Sequence, residues 1–190
     1  MKSGFNGDAS QYTSGKKMSA FPDWQGCIVK QKRRETGCIP TGYEMILRAA
    51  GINHVTFDTF QDEFDLDKNL KPGDSPRNNF ESVAHAIQAK YPDVLFQHIG
   101  FAKGDGRKKL EVVERMISRK TPILISLALD PFGGKGWHIM PVVDSSTDSL
   151  TLLWGVNANG TPDIKPLRKA DFVHIHENYR GGDDVAFLQK

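Results

Sequence analysis

Helical patterns come first along this chain and strand patterns come later, and this order constrains the fold more than any other feature. Three segments carry apolar residues at helical spacing: 38–50, 79–90 and 107–119. Four segments carry short apolar runs typical of strands: 94–99, 123–129, 137–143 and 150–156. Consecutive strands joined by short turns favour an antiparallel sheet. We therefore expect an α+β fold, with an N-terminal helical part packed on a C-terminal antiparallel sheet.

Length and composition indicate one folded domain. The chain has 190 residues, of which 38% are hydrophobic and 25% are charged, as in ordinary globular proteins. Residues 1–20 are rich in glycine and serine and hold few apolar side chains, so folding there would not offset the loss of chain entropy. The sequence predicts a flexible tail over 1–20 and a single domain over 21–190.

Charge and hydropathy exclude several classes of partner. The formal net charge of +2 is too small to favour nucleic acid as a ligand. No apolar run approaches the roughly 20 residues that cross a bilayer, and the first residues lack a secretion signal. Two cysteines are too few for a disulfide framework and offer no paired zinc motif. We expect a cytoplasmic protein that needs no metal or cofactor, with no membrane partner; the oligomeric state is left open.

Cys38 is the first candidate for chemistry, because it opens the first predicted helix. It follows Thr36-Gly37, and Pro40 suits a first helical turn, where a missing N–H costs nothing. Unpaired N–H groups and the helix dipole at such a position favour the nucleophilic thiolate. The alternative is a small, buried cysteine that merely begins a helix.

His138 is the candidate base for this thiol. It begins a predicted strand directly after the glycine-rich loop 133–136, where other groups can approach closely. A turn centred on Thr147-Asp148 would place His138 opposite Asn157, at a distance of about 5 Å. An amide there would fix the tautomer and ring plane of the histidine. The alternative is an ordinary strand histidine.

Two further positions complete the candidate site. Asp144 competes with Asn157 as the orienting group, but it lies six residues along the strand from His138, roughly 20 Å away. The N–H of Cys38 and the amide of Gln31 would together form an oxyanion hole, with Gln25 as a less favoured substitute for Gln31. Taken alone, Gln31 is better interpreted as an ordinary exposed residue of the basic patch 30–34.

The chain resembles a papain-like cysteine peptidase of the bacteriocin-leader (double-glycine) peptidase-like group. The resemblance runs from about residue 23 to 189 and is carried by four pieces in chain order: Gln31, Cys38 on a helix ending Ala-Ala-Gly, the run TPILISLALDPFGGKGWHIMPVVD, and the closing segment LRKADFVHIHENYRGGDDVAFLQ. It implies Cys38 as nucleophile, His138 as base, Asn157 as orienting residue and Gln31 as oxyanion donor.

By this resemblance the protein would be a cysteine peptidase or related amide hydrolase that forms a thioester acyl-enzyme. Its substrate would be a peptide or protein, with an isopeptide or a small amide as further options. Two alternatives stay open. One is a transpeptidase or amidase on the same fold, and the other is a non-catalytic papain-like binding module or effector.

Two charged segments receive interpretations of their own. The acidic segment 58–67 contains five carboxylates and no basic residue, which favours a surface excursion that could act as a lid or a partner surface. The basic cluster of Lys30, Lys32, Arg33 and Arg34 lies next to Cys38 in sequence. It could attract an acidic substrate or help to keep the thiol ionised.

Overall fold

A computed structural model describes residues 18–19 and 24–189. The helices are α1 (Trp24–Cys27), α2 (Cys38–Ala49), α3 (Phe60–Phe64), α4 (Phe80–Lys90), α5 (Gly106–Ser118) and α6 (Lys169–Asn178). The strands are β1 (Met18–Ser19), β2 (Phe96–Gly100), β3 (Ile123–Ala128), β4 (Trp137–Ser145), β5 (Ser149–Val156), β6 (Pro162–Arg168) and β7 (Asp184–Leu188).

The strands form one antiparallel sheet, and this confirms the α+β expectation. Their order is β2-β7-β3-β4-β5-β6, with the short β1 paired to β4. The last strand, β7, lies between β2 and β3, so the end of the chain is built into the sheet. Strand β3 is buried along its whole length, which agrees with its sequence ILISLA, apolar except for Ser126.

Helix α2 packs closely on this sheet and brings Cys38 to it. Its buried face includes Ile39, Tyr43 and Ile46, and the helix contacts β3, β4 and β7. Gly42 makes the close approach possible, since a Cβ there would lie 2.9 Å from the side chain of Leu124 in β3. The first turn of α2 is thereby held against the sheet.

The predicted tail boundary does not match the strand pairing. Met18 and Ser19 lie inside the segment predicted to be flexible, yet they pair with Ser145 and Asp144 of β4. The rest of the predicted tail lies outside the described residues. The single-domain interpretation of 21–190 stays a prediction.

The acidic segment 58–67 is not a surface excursion, and this expectation was wrong. Phe60 and Phe64 of α3 belong to the core, and Asp65 and Asp67 are 1% and 4% exposed. The buried carboxylates are stabilised by internal donors. Asp65 accepts hydrogen bonds from the Thr36 hydroxyl and the Asn78 amide. A buried carboxylate is stable only while its hydrogen-bond donors stay in place. These bonds therefore fix the segment to the rest of the protein, whereas a lid would have to detach.

No described helix has both the length and the apolar character needed to span a membrane. Within the described residues there is also no group of three or more His, Cys, Asp or Glu side chains that could hold a metal ion.

Candidate active site

The turn before α2 sets the position of Cys38. The Gly37 N–H donates to the Arg33 carbonyl, and a Cβ at Gly37 would lie only 2.8 Å from that oxygen. Glycine is therefore required where the chain turns into the helix. Because Gly37 has no side chain to cap the helix, the N–H groups of the first turn face the sulfur.

A buried glutamine holds the segment that leads to this turn. Gln61 of α3 is 4% exposed, and its Oε1 accepts from the Lys32 N–H and the Thr41 hydroxyl, both at 2.9 Å. Its Nε2 donates to the Lys30 carbonyl at 3.1 Å and to Glu44 Oε2 at 2.9 Å. The acidic segment thus contributes by positioning the residues before Cys38.

Half of the basic cluster is neutralised within the protein. Lys32 and Arg33 both bond to Asp62, at 2.8 and 2.5 Å, and Arg33 also approaches the buried Asp65 at 3.5 Å. These two cations therefore attract an acidic substrate less than the sequence alone suggests.

His138 is the second residue of β4 and pairs with Leu127 of β3. Its Nε2 lies 3.0 Å from the main-chain carbonyl oxygen of Trp154. A carbonyl oxygen can only accept, so Nε2 carries the hydrogen and the neutral ring keeps its lone pair on Nδ1. Trp154 lies at an irregularity of β5, where the β5–β6 register shifts between Leu153 and Gly155.

The structure does not bring Asn157 to His138, so the predicted pairing is corrected. Near the turn, Asp144 faces Thr151 as predicted, but an irregularity follows and Val142 faces Leu152. Asn157 is exposed, and its amide donates to the Thr161 hydroxyl at 3.1 Å.

Gln31 lies at the site but its amide is already bonded. Its Nε2 donates to the carbonyls of Arg33 and Arg34, at 2.6 and 3.0 Å. Both amide hydrogens are used there, so Gln31 stabilises the turn before Cys38. The substitute, Gln25, lies in α1, and its side chain is outside the described residues.

Cys38, His138 and Gln31 line one small cleft that is open to solvent. Trp154 and Ile139 form part of its wall. The N–H of Ile139, the residue after His138, hydrogen-bonds to the Cys38 sulfur. Two of the predicted site residues, Cys38 and His138, therefore line the same cleft, where α2 packs against β4.

Burial sets the protonation of both groups. It raises the pKa of the Cys38 thiol, although hydrogen bonds from the N–H groups of Ile139, Ile39 and Cys38 itself oppose the rise, and the Asp65 charge adds to it. Burial lowers the pKa of His138, with the Trp154 carbonyl opposing and the Lys165 cation adding to the effect. Both directions favour a neutral thiol beside a neutral imidazole, so the thiolate expected from the helix start is outweighed by desolvation.

Comparison with known proteins finds similar solved structures. No family model matches the chain, and no curated protein matches it. A crystal structure of a protein from Bacillus anthracis, provisionally assigned as a C39-like peptidase, superposes with a TM-score of 0.57 at 11% identity. The match covers 92% of this chain and 98% of the other. The chain has a peptidase-like fold. This agrees with the fold that the sequence resemblance implies. At 11% identity the match shows the fold alone.

Proposed function

We propose that this protein is a cysteine peptidase or related amide hydrolase that works through a thioester acyl-enzyme, with peptides or proteins as substrates. One observation carries the proposal. Cys38 at the start of α2 and His138 at the start of β4 line the same cleft, with the Ile139 N–H bonded to the sulfur and the imidazole oriented by the Trp154 carbonyl. A nucleophile, a base and an orienting acceptor are the parts that thiol catalysis requires.

In the proposed reaction, His138 Nδ1 takes the thiol proton as the Cys38 sulfur attacks the substrate carbonyl carbon. The neutral state of both groups favours this general-base route over a preformed ion pair. The imidazolium is stabilised by the hydrogen bond from Nε2 to the Trp154 carbonyl. It then protonates the leaving amine, and the C–N bond breaks to leave a thioester. Water, deprotonated by His138, hydrolyses the thioester and restores the thiol.

The oxyanion of each tetrahedral intermediate would be stabilised at the start of α2. The Cys38 N–H is the first donor, in a helix start that has no side-chain cap. Gln31, the second donor implied by the sequence resemblance, has both amide hydrogens bonded to the Arg33 and Arg34 carbonyls, so the proposed reaction relies on the main-chain donor. Main-chain donation alone would support slower turnover.

A non-catalytic binding module is the second candidate, and two contacts favour it. Gln31 bonds to its own loop, and Asn157 bonds to Thr161, so two of the four roles implied by the sequence resemblance are not assembled. A transpeptidase would pass the same thioester to an amine instead of water, and an amidase would form it from a small amide and hydrolyse it with water.

Mass spectrometry of the acyl-enzyme tests the proposal. The protein is mixed with activated peptide esters, quenched in acid and weighed intact, and we expect an acyl group on Cys38. Cys38→Ala should lose the adduct, while Cys27→Ser, the matched change at the other cysteine, should keep it. Added amine acceptors would separate transfer from hydrolysis by their products. Equal ester turnover by the wild type and Cys38→Ala would refute the proposal, and a folded wild type without an adduct would favour the binding module.

A further inference from the structure

Two aromatic side chains lie beside His138 without belonging to the reacting pair. Phe132 ends a single 3₁₀ turn, Asp130–Phe132, between β3 and β4, and it is 45% exposed. Its ring packs edge-on against Trp154, with 4.9 Å between centroids. Trp154 lines the cleft, and its ring lies 6.1 Å from the imidazole of His138. Phe132 therefore lies against a residue of the cleft wall, on the histidine side.

Exposed apolar side chains are common singly and need no function by themselves. Phe132 differs because its loop holds it in one place. The Phe132 N–H donates to the Leu129 carbonyl, and the Leu129 N–H donates to the Gly136 carbonyl. Gly133 and Gly136 adopt φ values of 77° and 78°, which only glycine reaches readily. The ring is thus presented to solvent by a closed, hydrogen-bonded loop.

The chemistry of acyl transfer indicates which part of a substrate would lie next to Phe132 and Trp154. The base that accepts the thiol proton returns it to the leaving nitrogen, so the leaving half of the substrate lies on the imidazole side of the sulfur. Trp154 lies on that side of the sulfur. Its carbonyl accepts the hydrogen bond from His138 Nε2, and the residue forms part of the cleft wall. The first residue of the leaving half is therefore the part nearest to the aromatic pair.

The charges around Phe132 and Trp154 favour an apolar substrate side chain over an acidic one. The Lys165 ammonium lies 4.5 Å from the centroid of the Trp154 ring, but it also pairs with Asp163 at 3.3 Å. A cation already matched by a carboxylate gains little from a second acidic group. The exposed face of Phe132, with Trp154 beside it, stays available to an apolar substrate group.

We propose that Phe132 and Trp154 form a specificity subsite that binds a large apolar or aromatic side chain on the first residue after the scissile bond. The proposal rests on the proposed hydrolase function and deepens it. It assigns to the glycine-rich loop 133–136 the task of presenting Phe132 at the cleft.

Paired peptide substrates test the subsite. Two internally quenched peptides share one acyl half and carry either Phe or Gly after the scissile bond. We expect wild-type kcat/KM to favour the Phe peptide, and Phe132→Ala to remove about tenfold of that preference while leaving the Gly peptide nearly unchanged. Leu95→Ala is the matched control, because Leu95 is 37% exposed beside β2, at the opposite edge of the sheet. Equal effects of Phe132→Ala on both peptides would overturn the subsite.

A binding measurement separates failure of the subsite from failure of the hydrolase proposal. Calorimetry with the leaving-half peptides, beginning with free Phe or Gly, needs no turnover. We expect the Phe peptide to bind more tightly to the wild type, and Phe132→Ala to abolish the difference. Preferential binding without hydrolysis would retain the subsite and refute the hydrolase, whereas equal binding of the two peptides would refute the subsite.

Discussion

His138 donates its Nε2–H to the main-chain carbonyl of Trp154, with 3.0 Å between nitrogen and oxygen. The group that orients the candidate base is therefore part of the backbone. Trp154 lies in a strand with register irregularities on both sides, between Val142 and Asp144 and between Leu153 and Gly155. The Asn157 side chain bonds to Thr161 instead.

Asn157→Ala should leave catalysis nearly unchanged. Its amide bonds to Thr161 in an exposed turn, so we expect kcat/KM within about twofold of the wild type, against losses up to about 10⁴ when a true orienting residue is removed. Steady-state kinetics on the best ester substrate measure the effect. Asn159→Ala removes another amide that bonds to Thr161 and is the matched control. A hundredfold loss in Asn157→Ala alone would contradict the backbone assignment.

Gln31→Met should weaken the turn before Cys38 more than it weakens catalysis. Losing two hydrogen bonds to main-chain carbonyls should lower the free energy of unfolding by about 1–3 kcal/mol, as measured in urea. We expect kcat to fall less than tenfold. Gln97→Met, at an exposed glutamine of β2, controls for the substitution itself. A fall of about 10²–10³ in kcat at unchanged stability would instead identify Gln31 as an oxyanion donor.

Alkylation of Cys38 should follow a raised pKa. In a Cys27→Ser background, the rate with iodoacetamide should reach half its maximum above the ordinary thiol value of about 8.5, because burial disfavours the thiolate. His138→Ala should change this midpoint little, since the imidazole is neutral at such pH. A midpoint far below 8.5 that rises in His138→Ala would reveal an ion pair and reverse the predicted protonation state.

The acidic limb of the pH profile should report a lowered His138 pKa. Activity rises with pH as the base loses its proton, so kcat/KM should reach half its maximum below the ordinary histidine value of about 6.5. Lys165→Met removes a cation that lowers this pKa, so its limb should move to higher pH. Lys103→Met, at an exposed lysine between β2 and α5, should leave the limb in place. Identical limbs in all three proteins would show that Lys165 does not act on His138.

Lys109 should make folding stability depend on pH. Its ammonium is buried in α5 and donates to the carbonyls of Ser126, at 2.7 Å, and Gly182, while burial lowers its pKa to about 7. Between about pH 7 and 10.4 the unfolded chain binds the proton that the folded chain has released, so the free energy of unfolding rises with pH. Below pH 7 both states are protonated and the contribution is constant.

Lys109→Met should flatten that rise, by an amount on the order of a few kcal/mol across the window. Urea unfolding at several pH values measures the two slopes, and comparing slopes avoids dependence on absolute stability. Lys108→Met, at the exposed neighbour that pairs with Asp105, should keep the wild-type slope. Parallel curves for the wild type and Lys109→Met would show that the buried ammonium does not titrate in this range.

The elements with strong apolar periodicity were predictable, and those without it were not. Segments 38–50, 79–90 and 107–119 correspond to α2, α4 and α5, because each buries one face at helical spacing. Strand β6 has the polar sequence PDIKPLR and forms because β5 supplies its hydrogen bonds. Helix α3 was obscured by the acidic residues in and after it, and the burial of Asp65, directly after the helix, depends on donors far along the chain, such as Asn78.

The sequence by itself determined the α+β class, the position of Cys38 at a helix start and that of His138 at a strand start, because hydrophobic periodicity and turn residues are local properties of the chain. Only the tertiary structure decided that His138 is oriented by Trp154, that Gln31 bonds to its own loop and that Asp65 is buried. A register shift of one residue moves every later cross-strand partner, and main-chain carbonyls look alike in any sequence. These contacts arise from packing between distant segments, which local patterns do not encode.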